Sequence, residues 1–249
     1  MLIEVYLKRL RLPTMRRQFK ELARDATEHN KTYEDYLLAL LEQEVIHRDD
    51  SQLRLRLRSA GFPHAKTLDS YDFSAIPSLN RQKILELSQA QFVKARENLL
   101  FVGNSGTGKT HLAIALGMAA CSKGYRVRFW RVDRFVEELL EAQNEHRLLR
   151  LEKQWLNPEM VVLDELGYVS LSRAGSELLF QFMAARYEHG SIAITTNLEF
   201  AEWAKVFGDE KMTAALLDRL THRAHILPMN GDSFRFKESL RRQGGEPKD

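Results

Sequence analysis

The run Gly103-Asn-Ser-Gly-Thr-Gly108-Lys109-Thr110 constrains this chain more than any other stretch. It follows a short apolar segment, Leu99 to Val102, and opens a helical pattern from Lys109 to Ser122, so its context is strand, loop, helix. Glycines at 103, 106 and 108 let the backbone turn tightly enough for its N–H groups and the helix N-terminus to hold phosphate oxygens. Gly103, Asn104, Ser105, Gly106, Thr107, Gly108, Lys109 and Thr110, with the adjoining His111, are therefore the expected contacts of ATP. Lys109 is expected to reach the β and γ phosphates, and the Thr110 hydroxyl to be a magnesium ligand. A glycine-rich turn without a ligand is the alternative.

Such a loop needs a sheet to stand on, and the downstream pattern supplies one. Strand segments at Leu99 to Val102, Arg126 to Trp130, Met160 to Leu163, Ile192 to Thr195 and Ala224 to Pro228 alternate with helical stretches. These are Lys109 to Ser122, Asp133 to Trp155, Ala174 to Tyr187 and Glu199 to Arg223. Strand-then-helix repetition predicts an α/β fold, a parallel sheet flanked by helices on both faces. Upstream, Met15, Phe19, Leu22 and Ala26, and then Tyr33, Leu37, Leu40 and Leu41, recur at helical spacing. Thr32 with Asp35 reads as a capping box, and Gly61 and Pro63 as a stop. Leu53, Leu55 and Leu57 alternate with arginines as a strand would, but they continue a helical segment without a turn signal and read as helix. The expected organisation is a small all-helical N-terminal domain over 1–66, an ATPase domain over 67–240 that begins with a packed linker, Thr67 to Pro77, and an unordered polar tail over 241–249.

Composition excludes several classes. With 249 residues, 44% hydrophobic and 29% charged, the chain is globular rather than disordered throughout. The longest apolar run, Leu112 to Cys121, falls short of the ~20 residues that span a bilayer. The start lacks an apolar signal core, and Cys121, the single cysteine, can form no internal disulfide. A cytoplasmic protein without membrane partners is expected.

A second motif, Met160-Val-Val-Leu163-Asp164-Glu165, is an apolar strand ending in two carboxylates. Asp164 is expected to hold magnesium through water and Glu165 to polarise the attacking water; the alternative leaves Asp164 alone functional and Glu165 starting a loop. The strand Arg126 to Trp130 lies between the two motifs in the chain and is expected to separate them in the sheet by one position. With Glu165, that arrangement points to P-loop proteins that couple hydrolysis to motion, and away from metabolite kinases. Asn197, just past the fourth strand, is a candidate sensor of the γ-phosphate or else a turn former.

The net charge is only +3, yet basic residues cluster: Lys8, Arg9, Arg11, Arg16, Arg17 and Lys20, then Arg54, Arg56 and Arg58. Such clusters suit sequence-independent binding to DNA phosphates. Glu4, Glu21, Asp25 and Glu28 are interleaved with the first cluster, so a solvated helix face is the alternative. No helix-turn-helix or zinc-finger signature points to base reading.

Taken with Gly-Thr-Gly-Lys-Thr-His-Leu-Ala and Asp-Glu-Leu-Gly-Tyr, further blocks resemble the IstB-like transposition helper ATPases, relatives of DnaC and DnaA in the AAA+ class. They are Leu12-Pro13-Thr14-Met15, Ala60-Gly61-Phe62-Pro63, Val206-Phe207-Gly208-Asp209, Leu217-Asp218-Arg219-Leu220 and Asp232-Ser233-Phe234-Arg235-Phe236-Lys237-Glu238. The resemblance implies an ATPase that binds double-stranded DNA, assembles as a homo-oligomer and recruits and stimulates a transposase. It implies a trans arginine finger at Arg219 or Arg223, with Arg223 favoured. DNA contacts after the second strand, at Arg131, Arg134, Arg147, Arg150 and Lys153, follow from the DnaA and DnaC relatives. The residues after Arg223 are too few for a C-terminal lid, so Tyr71 and Phe73 are considered as adenine neighbours or packing anchors. A DnaC-like helicase loader is the second reading and a metabolite kinase a remote third.

Overall fold

The computed structural model describes residues 2–231. The closing block 232–238 and the tail 241–249 considered above lie outside the described residues. The chain divides into two compact units between Leu55 and Arg56.

The first unit contains helices α1 (Leu2–Arg9) and α2 (Pro13–Glu28) and most of α3 (Tyr33–Ala60). Its core is small: Met15, Phe19 and Leu40 are buried, with Leu7, Leu12, Leu22 and Tyr36 packed around them. Polar ties supplement it. Leu12 offers α2 no side-chain cap, and the buried Glu44 of α3 takes that role, accepting from the N–H groups of Thr14 at 2.8 Å and Met15 at 3.0 Å. A carboxylate at a helix N-terminus satisfies orphan donors and meets the favourable end of the dipole. Thr32 and Asp35 form the expected reciprocal box, at 3.1 and 3.2 Å. The Leu-Arg alternation is helical to Ala60, where Gly61 turns into the left-handed region at φ +72°.

In the second unit the order is α4 (Arg81–Leu87), α5 (Gln91–Ala95), β1 (Asn98–Val102), α6 (Lys109–Ser122), β2 (Val127–Arg131), α7 (Val132–Asn144), α8 (Leu148–Leu156) and β3 (Met160–Leu166). It continues with α9 (Arg173–Ala185), β4 (Ser191–Thr196), α10 (Ala204–Phe207), α11 (Glu210–Thr221) and β5 (Ala224–Pro228). Among the described residues the strands form one five-stranded parallel sheet in the order β2-β3-β4-β1-β5.

This order corrects one expectation. One strand does separate the loop strand from the carboxylate strand, but it is β4 and not β2. The reason lies in the side chains. All six residues of β4 are buried, as a central strand requires, whereas β2 exposes Arg128 and Arg131 and so belongs at an edge.

Trp155 anchors the packing of α7, α8 and α9. It stacks on Phe135 at 4.9 Å, meets Trp130 and Phe182, and donates its indole N–H to the Phe182 carbonyl at 2.6 Å. Beside it Arg186 is fully buried. Its guanidinium donates to the carbonyls of Trp155 (2.5 Å), Pro158 (2.7 Å) and Ser191 (3.4 Å), tying the end of α8 to the start of β4. Burial pushes this guanidinium down to about 10, against the opposing charge of Glu159.

Removing Arg186 would strand buried carbonyls and leave a void. Arg186→Met is expected to lower the unfolding free energy by about 3 kcal/mol. Urea denaturation at neutral pH measures it, and a loss below about 1 kcal/mol would show that the carbonyls find other donors.

Candidate nucleotide site

β1 delivers the chain into the glycine loop, and α6 begins at Lys109. Two glycines are required here by what surrounds them. At Gly103 (φ +149°) a Cβ would lie 2.2 Å from the Met229 carbonyl oxygen, because the chain beyond β5 runs against the loop. At Gly108 (φ +85°) a Cβ would come within 2.8 Å of Tyr71 Cε2. Lys109 Nζ curls onto the loop itself, donating to the carbonyls of Gly103 at 2.7 Å and Asn104 at 2.6 Å.

The buried Asp164, at the end of β3, joins the loop helix to the sheet. Its Oδ1 accepts from the Thr110 hydroxyl of α6 at 2.8 Å and from the Thr195 hydroxyl of β4 at 2.6 Å. Thr195 Oγ1 in turn accepts from the backbone N–H of Glu165 at 2.9 Å. One chain of hydrogen bonds thus links α6, β3, β4 and the residue that carries the second carboxylate. The Thr110 hydroxyl and the Asp164 carboxylate are hard oxygen donors, and magnesium asks little more of a protein when phosphates and water complete its shell.

Glu165 sits at φ +63°, a left-handed conformation uncommon for a side chain of its kind, in the irregular register between Leu163 and Leu166. The conformation turns its carboxylate toward Arg131 at the end of β2, with Oε2 3.3 Å from Nη2. The same Nη2 lies 2.7 Å from Asp133. Asp133, then Glu165 and Asp164, hold the Arg131 proton more firmly than usual against the cost of burial.

These elements surround a cavity of about 450 Å³, within the ~300–1,000 Å³ of ordinary ligand pockets. Ser105 to His111, Glu165, Thr195, Thr196 and Asn197 all line it. Its other wall is the segment before α4, including Pro63, Lys66, Ser70 and Tyr71. His111 fastens that segment through Nε2, 2.9 Å from the Thr67 carbonyl and 3.3 Å from Ser70 Oγ. The Tyr71 hydroxyl donates to the Thr107 carbonyl at 3.3 Å, and burial, aided by Asp72, pushes its phenol up to about 12, so it stays a donor at neutral pH. Phe73 is not in the lining; it packs edge-on against Tyr71 at 4.9 Å and under Arg81 at 5.5 Å.

Thr195 is the site residue that sequence reasoning missed. A threonine closing an apolar strand reads as ordinary β propensity, and only its position between β1 and β3 gives the hydroxyl its partners. Arg219 and Arg223 lie apart from this cavity and line another, where β1 and β4 begin. Of the basic candidates, Lys20 pairs with Glu4, Arg54 with Asp50, Arg134 with Glu137 and Arg147 with Glu145. Arg17 contacts His47, and Arg56 donates to the Cys121 carbonyl. Lys8, Arg9, Arg11, Arg16, Arg58, Arg150 and Lys153 are exposed and have no ion-pair partner among the described residues. No helix among those residues is long and apolar enough to cross a membrane.

Comparison with known proteins agrees with this geometry. The family described as IstB-like ATP binding protein matches residues 5–242. The putative ATP-binding protein of insertion sequence IS5376 from Geobacillus stearothermophilus is 37% identical over 95% of this chain and 94% of its own. Among solved structures, AMPPCP-bound DnaA from Aquifex aeolicus superimposes with a TM-score of 0.58 at 19% identity, over 76% of this chain and 59% of its own. The DnaC helicase loader does so with a TM-score of 0.52 at 26% identity, over 70% of this chain and 98% of its own. The sheet and its flanking helices are thus of the AAA+ kind, and the chain belongs to the IstB-like family of insertion-sequence ATP-binding proteins.

Proposed function

We propose that this chain is an ATP hydrolase that helps transposition: it assembles on duplex DNA with little sequence preference and recruits and stimulates a partner transposase. The observation that carries the reading is the hydrogen-bond chain from Thr110 through Asp164 and Thr195 to Glu165 beside the phosphate loop. It unites a metal-binding pair and a second carboxylate, which a hydrolytic site needs and a simple binding loop does not.

In this reading Lys109 leaves the loop carbonyls for the β and γ phosphates, and Thr110 and Asp164 hold magnesium, which supplies neutralising charge on the phosphates. Glu165 orients the attacking water, and Asn197 contacts the γ-phosphate. Glu165 must first part from Arg131, since a carboxylate oxygen held by a guanidinium is not free for water. Arg131 is also among the residues proposed for DNA, so a DNA phosphate that draws it away would favour hydrolysis. Arg219 and Arg223 cannot serve their own loop: β1 puts about 13 Å of strand between the two ends of the sheet. They would act on ATP held by another copy. The helicase-loader reading shares this site; the insertion-sequence relatives, matched over nearly the whole chain, favour the transposition helper.

Two outcomes are expected. Lys109→Ala should abolish ATP binding, while Glu165→Gln should bind ATP with normal affinity and hydrolyse it about 100-fold more slowly. Calorimetry and phosphate release measure the two, and normal turnover by Glu165→Gln would remove its assigned role. For DNA, replacing Arg150 and Lys153 together by alanine should flatten the log–log salt dependence of duplex binding by about 2. Fluorescence anisotropy on duplexes of unrelated sequence gives that slope, and an unchanged value would move the contact elsewhere.

A further inference from the structure

A second cavity, of about 180 Å³, opens at the end of the sheet away from the phosphate loop. Arg96, Asn98, Arg186, Glu188, Arg219 and Arg223 are among its lining residues. Arg96 comes from the C-cap of α5, Arg219 from the last turn of α11, and Arg223 from the residue before β5. All three are exposed, and among the described residues none forms an ion pair. Arg96 is anchored at the mouth through Nη1, which donates to the Glu188 carbonyl at 2.6 Å. The Glu188 side chain, the acidic member of the lining, is likewise exposed and pairs with none of them.

Two of the lining residues, Asn98 and Arg186, are buried and hydrogen-bonded. Asn98 is buried with both ends of its amide engaged, donating to the Leu220 carbonyl and accepting from the Ile192 N–H, each at 2.9 Å. Arg186, fully buried, gives its hydrogen bonds to carbonyls, and its positive charge, opposed in part by Glu159, adds to the cavity. Four guanidinium groups around one small concave surface repel one another, and low-dielectric walls focus their field outward. An anion relieves that repulsion. The volume is below the ~300 Å³ at which pockets begin to hold drug-sized ligands, which excludes a whole nucleotide and leaves room for one or two phosphate groups. Planar guanidinium forks suit phosphate oxygens in particular.

We propose that this cavity is a phosphate-binding site in which Arg96 is a third cation beside Arg219 and Arg223. The phosphate arrives either as the terminal group of a nucleotide held by a second copy of the chain or as free diphosphate. The first source rests on the trans reading given above; the second does not.

The test uses the full chain carrying Lys109→Ala, which removes the principal phosphate ligand of the loop, at a concentration where light scattering gives a monomer. Inorganic pyrophosphate titrated by calorimetry should bind, and adding Arg96→Ala should weaken it about tenfold or more. In the chain with Lys109 intact, Arg96→Ala should reduce hydrolysis per subunit in the assembled state while leaving ATP affinity unchanged. Thermal melts confirm folding, and Arg96→Gln repeats the test should the alanine variant melt early. Loss of pyrophosphate binding alone supports free diphosphate as the source, and loss of hydrolysis alone supports the neighbour's nucleotide. If neither changes, the proposal is overturned, while hydrolysis that still depends on Arg219 or Arg223 would leave the trans reading intact.

Discussion

The two hydroxyl hydrogen bonds received by one oxygen of Asp164 organise the working end of the sheet. Thr110 and Thr195 reach that oxygen from α6 and from β4, so the phosphate loop, the carboxylate strand and the strand between them are held in one register. A buried carboxylate tolerates burial only when its charge is met by donors, and here the donors are side chains that also face the site. The same constraint reaches Glu165, whose N–H is fixed on Thr195 and whose backbone is held at φ +63°. A small displacement of β4 would therefore alter both the Thr110–Asp164 pair and the second carboxylate.

The two ends of the sheet carry different sets of charged groups. At the C-terminal ends of the strands, the loop residues, Lys109 and Glu165 line a cavity of ordinary ligand size, with Asp164 buried behind Thr110. At the N-terminal ends, arginines from the C-cap of α5, from α11 and from the turn before β5 gather beside Glu188, which forms no ion pair with them among the described residues. Within one chain the two sets cannot meet. A second copy would bring them together, and in the proposed reading the split makes hydrolysis depend on assembly, so that an isolated molecule is a weak ATPase.

Much of this was legible in the sequence because it is local. The phosphate loop, the apolar run ending in Asp164 and Glu165, and the Thr32–Asp35 box each depend on neighbours in the chain, and each takes the expected form. The strand order was not legible, because parallel pairing joins segments far apart in the chain. The burial pattern of β2, with Arg128 and Arg131 exposed, was the available clue to an edge position. Glu44 capping α2 from about thirty residues away, Thr195 bonding Asp164 across the sheet, and Arg186 satisfying three carbonyls have no local signature. Arg131 was read as a DNA ligand from the resemblance to DnaA and DnaC; its contact with Glu165 required knowing that β2 lies beside β3.

The claim that one working site is built from two copies is tested most directly by mixing subunits. Glu165→Gln chains would be combined with chains carrying both Arg219→Ala and Arg223→Ala, and phosphate release followed with duplex DNA present. Each protein alone should be inactive, and the mixture should recover hydrolysis, because some interfaces then join an intact Glu165 to an intact arginine pair. A mixture as inactive as its components, although light scattering shows that they co-assemble, would contradict the account.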